Sequence, residues 1–288
     1  MLEAVTLYHL DEAPQLVAPV LIAAFDGWID AGGASTAAAA HIASEGDVLA
    51  TFDADALFDY RARRPVLDVV DGTLSELVWP DLALRRATMG GRDLLVLSGP
   101  EPDFRWHQLA VDVLDLTLRL GVVEWVSLGA IPAAVPHTRP VPVLGTASKQ
   151  GLLRGEVQQG PEGLLRVPAA ALSVVELAVS GSGIPAVGFY AQVPHYVGGG
   201  YAPATIALVD HVGRHLGVEL PLGALQDESV AQRSRLDAAV AQDEETKAYL
   251  QRLESLPGND RIPSGDELAT EIERFLRGET GENPIEGR

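Results

Sequence analysis

Short apolar runs alternate with amphipathic stretches along the chain, and this pattern predicts strands and helices in alternation. Residues 94–97 form an apolar run that ends at Ser98-Gly99-Pro100, as a buried strand does where it enters a turn. Asp103 is placed to cap a helix that ends at Gly121. Its apolar positions recur at three- and four-residue steps: Trp106, Leu109, Val113, Leu116 and Leu120. Residues 122–128 form a second apolar run, so we predict a parallel, right-handed strand-helix-strand crossover.

The same succession recurs on both sides of this unit. Residues 20–25 predict a strand, 26–33 a glycine-rich turn and 34–44 an alanine-rich helix. The turn lacks the spacing of a dinucleotide motif, which favours a structural role over phosphate binding. Residues 186–192 predict another strand, followed by a helix that starts near Pro203. The apolar face of that helix consists of Ile206, Val209, Val212 and Leu216.

Other stretches predict a further helix, a further strand and two hairpins. Pro168 suits the first turn of a helix over 167–179, and residues 48–52 read as a strand. Asp71-Gly72 and Gly90-Gly91 each lie between two apolar runs, as in β-hairpins. We therefore predict an α/β protein with three layers, α/β/α, around a mixed but largely parallel sheet.

Composition limits the classes of partner and chemistry. The 288 residues include 21 basic and 40 acidic side chains, and the net charge of −19 argues against nucleic acids and anionic membranes as partners. The absence of cysteine excludes disulfides, thiol catalysis and thiolate metal sites. The apolar run 17–25 is short and contains Pro19, so we expect no export signal or membrane anchor there. A cytoplasmic protein is the expectation.

A change in composition near residue 225 predicts a boundary. We expect a core domain over 1–224, an acidic helical extension over 225–277 and a disordered tail over 278–288. Residues 226–256 predict one long amphipathic helix. Its thin apolar stripe consists of Leu236, Val240, Leu250 and Leu253. A capping box at Ser264 and Glu267 predicts a last helix with Leu268, Ile272 and Phe275 on one face.

Polar side chains follow several of the predicted parallel strands, and the carboxyl ends of such strands are where open α/β sheets bind ligands. One contribution is a loop in which four prolines surround His137-Thr138-Arg139. The candidate cleft residues are Asp26, Asp30, Glu101, Asp103, His107, His137, Arg139, His195 and Tyr196, with Arg105 and Gln192 beside them. Carboxylates and histidines can act as general acids and bases, but this spacing specifies no reaction. The alternative is that loop ends are simply polar.

No motif assigns a catalytic residue, a metal or a cofactor. Neither Ser98 nor Ser182 lies in the G-x-S-x-G motif of a serine hydrolase. His211 and His215 are one helical turn apart and could chelate a metal, but Val212 replaces the glutamate of H-E-x-x-H. Histidines near a helix C-terminus are also favoured by the helix dipole, which is the alternative reading.

A candidate protein interface lies between residues 53 and 65, where acids, aromatic residues and arginines alternate. Tyr60, Arg61, Arg63 and Arg64 are of the type that anchors protein interfaces, and the alternative is a solvated loop with weak salt bridges. Leu268, Ile272 and Phe275 of the last predicted helix also need a partner surface, within the domain or on another subunit.

Four segments carry longer motifs. Residues 25–32 read FDGWIDAG, 52–65 contain FDAD, FDYR and RRP, 98–106 contain SGPEPD and a tryptophan, and 135–143 read VPHTRPVPV. Together they resemble the proteasome assembly chaperone 2 family in its actinobacterial branch. The resemblance covers residues 17–216, and the acidic C-terminal helices are also similar to that branch.

The resemblance implies a three-layer fold akin to nucleoside phosphorylases, self-association as a homotrimer, and kinship with chaperones of proteasome α-ring assembly. It implies no established activity, catalytic residue or cofactor. Relatives that dock on proteasomes use a C-terminal tail of a hydrophobic residue, a tyrosine and any residue. This sequence ends Ile285-Glu286-Gly287-Arg288, which fits either a protease-site remnant or a natural terminus, and docking through such a tail is not expected.

Two hypotheses follow. The first, which we favour, is a non-enzymatic scaffold or assembly factor that oligomerises and binds a protein partner such as proteasome subunits. The second is a small-molecule binder, or a hydrolase- or phosphorylase-like enzyme, that uses the polar cleft around His137 and His195.

Overall fold

The computed structural model describes residues 6–10, 13–160 and 163–255 of the chain. The strands are β1 (Tyr8–Leu10), β2 (Val20–Asp26), β3 (Asp47–Phe52), β4 (Val66–Val70), β5 (Thr73–Val78), β6 (Ala83–Met89), β7 (Arg92–Pro100), β8 (Glu124–Ala133), β9 (Val143–Ala147), β10 (Gln158–Gln159) and β11 (Ala186–Pro194). The helices are α1 (Ala34–Ile42), α2 (Ala54–Leu57), α3 (Trp106–Arg119), α4 (Ala171–Gly181), α5 (Ala202–Leu216), α6 (Leu225–Ala241) and α7 (Glu244–Ser255).

A mixed sheet of nine strands occupies the middle of the described chain, in the order β1-β3-β6-β7-β2-β8-β11-β9-β10. Its central strands β7, β2, β8 and β11 run parallel, whereas β1, β3, β6 and β9 pair antiparallel with their inner neighbours. The α/β architecture with a mixed sheet is therefore confirmed. The predicted crossover does join β7 to β8 through α3, but β2 lies between these strands and pairs in parallel with both.

Helices cover both faces of the sheet and create two apolar cores. The core with α3 and α4 contains Leu21, Ala23 and Phe25 of β2. The core with α1 and α5 contains Val20, Ile22 and Ala24 of the same strand. Alternate side chains of a strand point to opposite faces, so β2 is buried from both sides, and each of these side chains is at most 2% exposed. Strands buried on both faces read as continuous apolar runs, which explains why the sequence pattern located them.

Two helix starts differ from the prediction. The Asp103 carboxylate does not cap α3 but accepts a backbone N–H from the loop before β4 at 2.9 Å, and Arg105 precedes the helix in the left-handed region, with a φ of 59°. Helix α4 begins at Ala171, so Pro168 lies before it. The Ala171 N–H donates to Oε1 of Glu101 at 2.7 Å. A local rule could not anticipate this cap, because the carboxylate comes from the residue directly after β7, which is 70 residues away along the chain.

The helix predicted over 226–256 is two helices. Helix α6 ends at Ala241. The Asp243 carboxylate accepts the Thr246 N–H at 3.1 Å and so caps the start of α7, which makes the prediction of a single helix wrong. Val240 and Leu253 of the predicted stripe are buried. The predicted last helix, with Leu268, Ile272 and Phe275, and the tail 278–288 lie outside the described residues. No helix in the described ranges is long and apolar enough to cross a membrane.

Both predicted hairpins are present. Asp71 and Gly72 have φ values of 50° and 77°, and Gly90 and Gly91 have values of 58° and 75°. Two successive left-handed residues are what a type I′ turn requires. Among the described strands, β4 and β5 pair only with each other and form a separate two-stranded sheet.

Through hydrogen bonds, Asp93 connects the start of β7 to β6 and to the segment before β2. Its carboxylate, which is 2% exposed, accepts the Val17 N–H at 2.6 Å, Arg86 Nε at 2.8 Å and the Thr88 hydroxyl at 3.2 Å. Burial alone raises the pKa of this carboxyl, but these hydrogen bonds hold its pKa below the ordinary value. The ionised group therefore stabilises the fold above about pH 4, and this contribution is lost as the pH falls through the lowered pKa.

We expect Asp93→Asn to reduce the free energy of unfolding by about 1–3 kcal/mol at neutral pH, because buried donors lose an ionised acceptor. Urea unfolding should also show that wild type loses more stability than the variant between about pH 5 and about pH 3. Asp68→Asn, at an exposed position of β4, is the matched control and should leave stability unchanged. Equal stability of wild type and Asp93→Asn at neutral pH would contradict this role.

Candidate functional site

The carboxyl ends of β8 and β11 meet beneath α6 and α7. The two strands are parallel neighbours, and their last residues, Pro194 and Ala133, are paired. The loop after β8 carries His137, and the segment after β11 carries His195. We call the contacts between these two segments and the C-terminal helices the helix clasp. Its residues are His137, Thr138, Arg139, His195, Tyr196, Gln232, Arg233, Asp237, Tyr249 and Glu254.

His137 lies at the centre of the helix clasp, with a fully buried side chain. Its Nδ1 lies 2.8 Å from the Tyr196 hydroxyl, and its Nε2 lies 3.2 Å from Oδ1 of Asp237. The hydroxyl also accepts the His137 backbone N–H at 2.8 Å, which leaves its own proton for Nδ1. An ionised carboxylate can only accept, so Nε2 donates to Asp237. The imidazole thereby connects the segment after β11 to α6.

Arg233 and Asp237 attach α6 to the same loop. Arg233 Nε donates to both carboxylate oxygens of Asp237 at 3.1 Å, and Arg233 Nη1 donates to the carbonyl of His137 at 2.8 Å. Burial opposes ionisation of Asp237, but the hydrogen bonds from Arg233 and His137 hold its pKa below the ordinary value. Asp237 is therefore ionised at neutral pH.

His195 connects the end of β11 to α7. Its Nδ1 lies 3.2 Å from the carbonyl of Ala133, which can only accept, so Nδ1 carries the proton. Nε2 then accepts from the Tyr249 hydroxyl at 3.2 Å. The rings of His195, Tyr196 and Tyr249 meet edge to face, with centroids 5.6 to 6.4 Å apart. Burial raises the pKa of Tyr196, which keeps its hydroxyl protonated.

Outer contacts complete the helix clasp. The Thr138 hydroxyl donates to Oε1 of Glu254 at 2.5 Å, and Arg139 donates to the backbone carbonyl of Glu254. Oε1 of Gln232 accepts the Ala202 N–H at 2.9 Å at the start of α5. The predicted cleft residues of these two loops thus bind side chains and backbone of the chain's own C-terminal helices.

The remaining predicted cleft residues lie elsewhere. Arg63 Nη1 lies 3.9 Å from Oδ2 of Asp26, and its Nε lies 3.8 Å from Oδ2 of Asp103. Glu101 caps α4 instead of facing a cleft. Gln192 is buried and donates its backbone N–H to the carbonyl of Pro142 at 2.9 Å. Within the described ranges, no hydrogen bond or ion pair links Arg63, Asp26 and Asp103 to the helix clasp.

Asp30 and His107 have separate positions. Asp30 is buried, and its Oδ1 accepts both the backbone N–H and the hydroxyl of Ser35 at 2.7 Å, so it serves the start of α1. His107 and Arg105 are exposed near the start of α3. The single cleft predicted from the sequence is therefore divided, and His137, Arg139, His195 and Tyr196 are the members that come together.

The His211 and His215 rings serve the fold. His215 Nε2 lies 3.0 Å from Oε1 of Glu124, and its Nδ1 accepts the Arg154 N–H at 3.3 Å, so both nitrogens are occupied. His211 Nδ1 donates to the carbonyl of Ala207 at 2.7 Å. In the part of the chain that the structure describes, no group of three or more histidines and carboxylates is arranged to hold a metal ion.

Sequence reasoning missed the half of the helix clasp that comes from α6 and α7. Arg233 and Asp237 have the i, i+4 spacing of a helical ion pair, which was a readable signal for contact with each other. Nothing in their spacing indicates that they also contact His137, which lies 96 and 100 residues away along the chain.

These features define a three-layer α/β/α protein whose C-terminal helices cover one edge of its sheet. A family model described as the PAC2 family matches residues 24–240, and the chain belongs to this family. The family resemblance inferred from the motifs is therefore confirmed. A search of curated proteins found no match.

Solved structures agree with this assignment. A Mycobacterium tuberculosis proteasome-assembly chaperone homologue is 38% identical, with a TM-score of 0.73 over 80% of this chain and 99% of its own. A Mycobacterium tuberculosis protein of unknown function is 30% identical, with a TM-score of 0.84 over 93% and 96%. Pyrococcus furiosus PbaB, an archaeal proteasome activator, is 16% identical with a TM-score of 0.63 over 81% and 97%, which shows a shared fold alone.

We expect Asp237→Asn to loosen α6 from the core, because it removes the charge that joins Arg233 and His137. Limited proteolysis within residues 217–255 should accelerate by about tenfold, because a weaker hydrogen bond to a charged group raises the population of the locally opened state that the protease cleaves. Asp227→Asn is the matched control, since this exposed carboxylate on the same helix forms no ion pair within the described residues. Equal cleavage rates for the two variants would show that Asp237 does not hold the helix.

Proposed function

We propose that this chain is a non-enzymatic, chaperone-like assembly factor that self-associates as a homotrimer in the cytoplasm and binds proteasome subunits or another protein partner. The proposal depends on surfaces of the folded chain and needs no reaction centre. No residue is assigned a catalytic role, and no cofactor is invoked.

The helix clasp is the observation that carries this proposal. Enzymes with open α/β sheets place substrates beyond the carboxyl ends of their parallel strands. At the ends of β8 and β11 in this chain, His137 hydrogen-bonds to Tyr196 and Asp237, and His195 hydrogen-bonds to Ala133 and Tyr249. Polar groups that are satisfied by the chain's own helices are not available to a substrate without opening the clasp.

The family relationship supports a protein partner. Among the structures similar to this chain, the homologue at 38% identity is described as a proteasome-assembly chaperone homologue. Chaperones of this kind act by binding subunits, so the partner chemistry that fits is a folded protein surface.

A suitable contact surface lies at the predicted interface segment. The Tyr60 hydroxyl donates to Oδ1 of Asp55 at 2.6 Å, and its ring lies 4.7 Å from that of Trp79. Arg61 and Arg64 are exposed, while Arg63 is partly buried beside Asp103. Aromatic and arginine side chains held in this way are typical interface anchors.

Native mass spectrometry of the purified protein, alone and with proteasome α subunits from the organism that encodes it, tests the proposal. We expect a homotrimer alone and a complex of defined stoichiometry with α subunits. A monomer that binds no α subunit would contradict the proposal, and an unrelated protein of similar charge serves as the negative control.

The second hypothesis, a small-molecule binder or enzyme, has one observation in its favour. His137, His195 and Tyr196 are adjacent at the edge where such sheets bind ligands. A bound small-molecule mass that appears in the same spectra and is lost in the double variant His137→Ala/His195→Ala would support it. Absence of any difference between the variant and wild type would count against this site.

A further inference from the structure

Helix α3 carries a second apolar stripe in addition to the one that enters the core beside α4. On this outer stripe, Val111 is 60% exposed and Leu118 is 58% exposed, with Leu114 partly buried between them. The exposed His107 precedes them, so the four positions follow each other at steps of four, three and four residues. These are the steps of a heptad repeat, by which one helix packs along another. We call His107, Val111, Leu114 and Leu118 the outer seam of α3.

The outer seam has no partner among the described elements. A surface helix normally has one apolar face, so a second apolar stripe requires a second packing partner. The exposure of Val111 and Leu118 shows that no element in the described ranges covers the seam. Arg105, at the start of α3, is also exposed and forms no ion pair within the described residues. A partner that fits this surface is therefore a helix with a heptad stripe and an acidic first turn.

The last predicted helix of the sequence has both properties. We call residues 264–277 the C-terminal segment, and they lie outside the described residues. Leu268, Ile272 and Phe275 follow each other at steps of four and three residues, which is the order of steps at the start of the outer seam. Asp266 and Glu267 make the beginning of the segment acidic. The pattern thus complements α3 in apolar spacing and in charge.

We infer that the C-terminal segment docks along the outer seam of α3 in the same chain. It runs in the same direction as α3, with Ile272 opposite Val111 and its acidic first turn beside Arg105. While it is docked, this apolar helix face is closed to other proteins. The inference concerns a surface that the proposed function does not use, and it does not depend on that function.

The position where α7 ends favours the chain's own segment over that of a second copy. Glu254, next to the end of α7, is bound by Thr138 and Arg139 of the loop after β8. Helix α3 follows β7 at the same edge of the sheet, because β7, β2 and β8 are parallel neighbours. Strands β7 and β8 are therefore about 10 Å apart.

The connection is long enough for this docking and short enough to favour it. Residues 256–263 can span up to about 26 Å when extended. This length covers the strand separation together with the ~10–12 Å diameter of a helix. A tether this short gives the segment a high effective concentration at the start of α3, which a second copy in dilute solution does not have.

The test is disulfide formation in the full chain, which has no cysteine of its own. Under a mild oxidant, Val111→Cys/Ile272→Cys should form a disulfide within one chain, seen as a monomer band on a non-reducing gel and as a linked peptide by mass spectrometry. Val111→Cys/Thr270→Cys is the matched control. Thr270 lies two residues before Ile272, about 200° around a helix, so it faces away from α3 at nearly the same reach. The control pair should react at least about tenfold more slowly, because its β-carbons are too far apart for a disulfide.

A second measurement perturbs only α3. Val111→Asp places a charge on the exposed seam and should accelerate trypsin cleavage after Arg274 by about tenfold, because the segment spends more time undocked. Val230→Asp, at a position of α6 that is 66% exposed, is the control and should leave this cleavage unchanged. Thermal unfolding should show that both variants remain folded.

Each contrary outcome overturns the inference. Equal disulfide rates for the two cysteine pairs would show that the segment presents no particular face to α3. A disulfide that joins two chains would show that a second copy supplies the segment. Unchanged cleavage after Arg274 in Val111→Asp would show that the seam does not protect it. None of these outcomes bears on the proposed function, since homotrimer formation and α-subunit binding are measured separately by native mass spectrometry.

Discussion

The burial of β2 on both faces is the constraint on which the rest of the structure depends. A strand whose alternate side chains enter two separate cores needs helices on both faces, and α1, α3, α4 and α5 supply them. The parallel run β7-β2-β8-β11 then brings the loops after these strands to one edge of the sheet. Those loops carry polar groups that must be satisfied, and at β8 and β11 the C-terminal helices satisfy them.

The sequence was informative wherever a physical signal is local. Because β2 is buried on both faces, its sequence is a continuous apolar run that could be recognised as a strand. The two hairpin turns could be recognised because Asp71-Gly72 and Gly90-Gly91 are residue pairs that readily adopt left-handed backbone angles. It was misleading where the partner is distant, because the Glu101 carboxylate that caps α4 lies 70 residues from Ala171. The same limit applies to the candidate site. Loop polarity located His137 and His195, but only the tertiary fold shows that Asp237 and Tyr249 contact them.

The helix clasp and the hairpin of β4 and β5 therefore differ in how accessible they are to a binding partner. At the helix clasp, buried and ionic hydrogen bonds hold α6 and α7 over the position where related architectures receive small molecules. At the hairpin of β4 and β5, apolar side chains of both strands are exposed in the described part of the chain. A protein with a covered sheet edge and an open interaction surface is suited to binding other proteins, which agrees with its membership of the PAC2 family.

The measurement that tests this account most directly is hydrogen exchange of the wild-type protein, followed by mass spectrometry at peptide resolution. The account predicts that amides of 225–255 are protected nearly as strongly as those of α5, because the helix clasp holds both helices on the core. Exchange of 225–255 at the rate of unstructured peptide would contradict it. In that case the carboxyl edge of the sheet would be open to ligands, and the case for a purely protein-binding function would be lost.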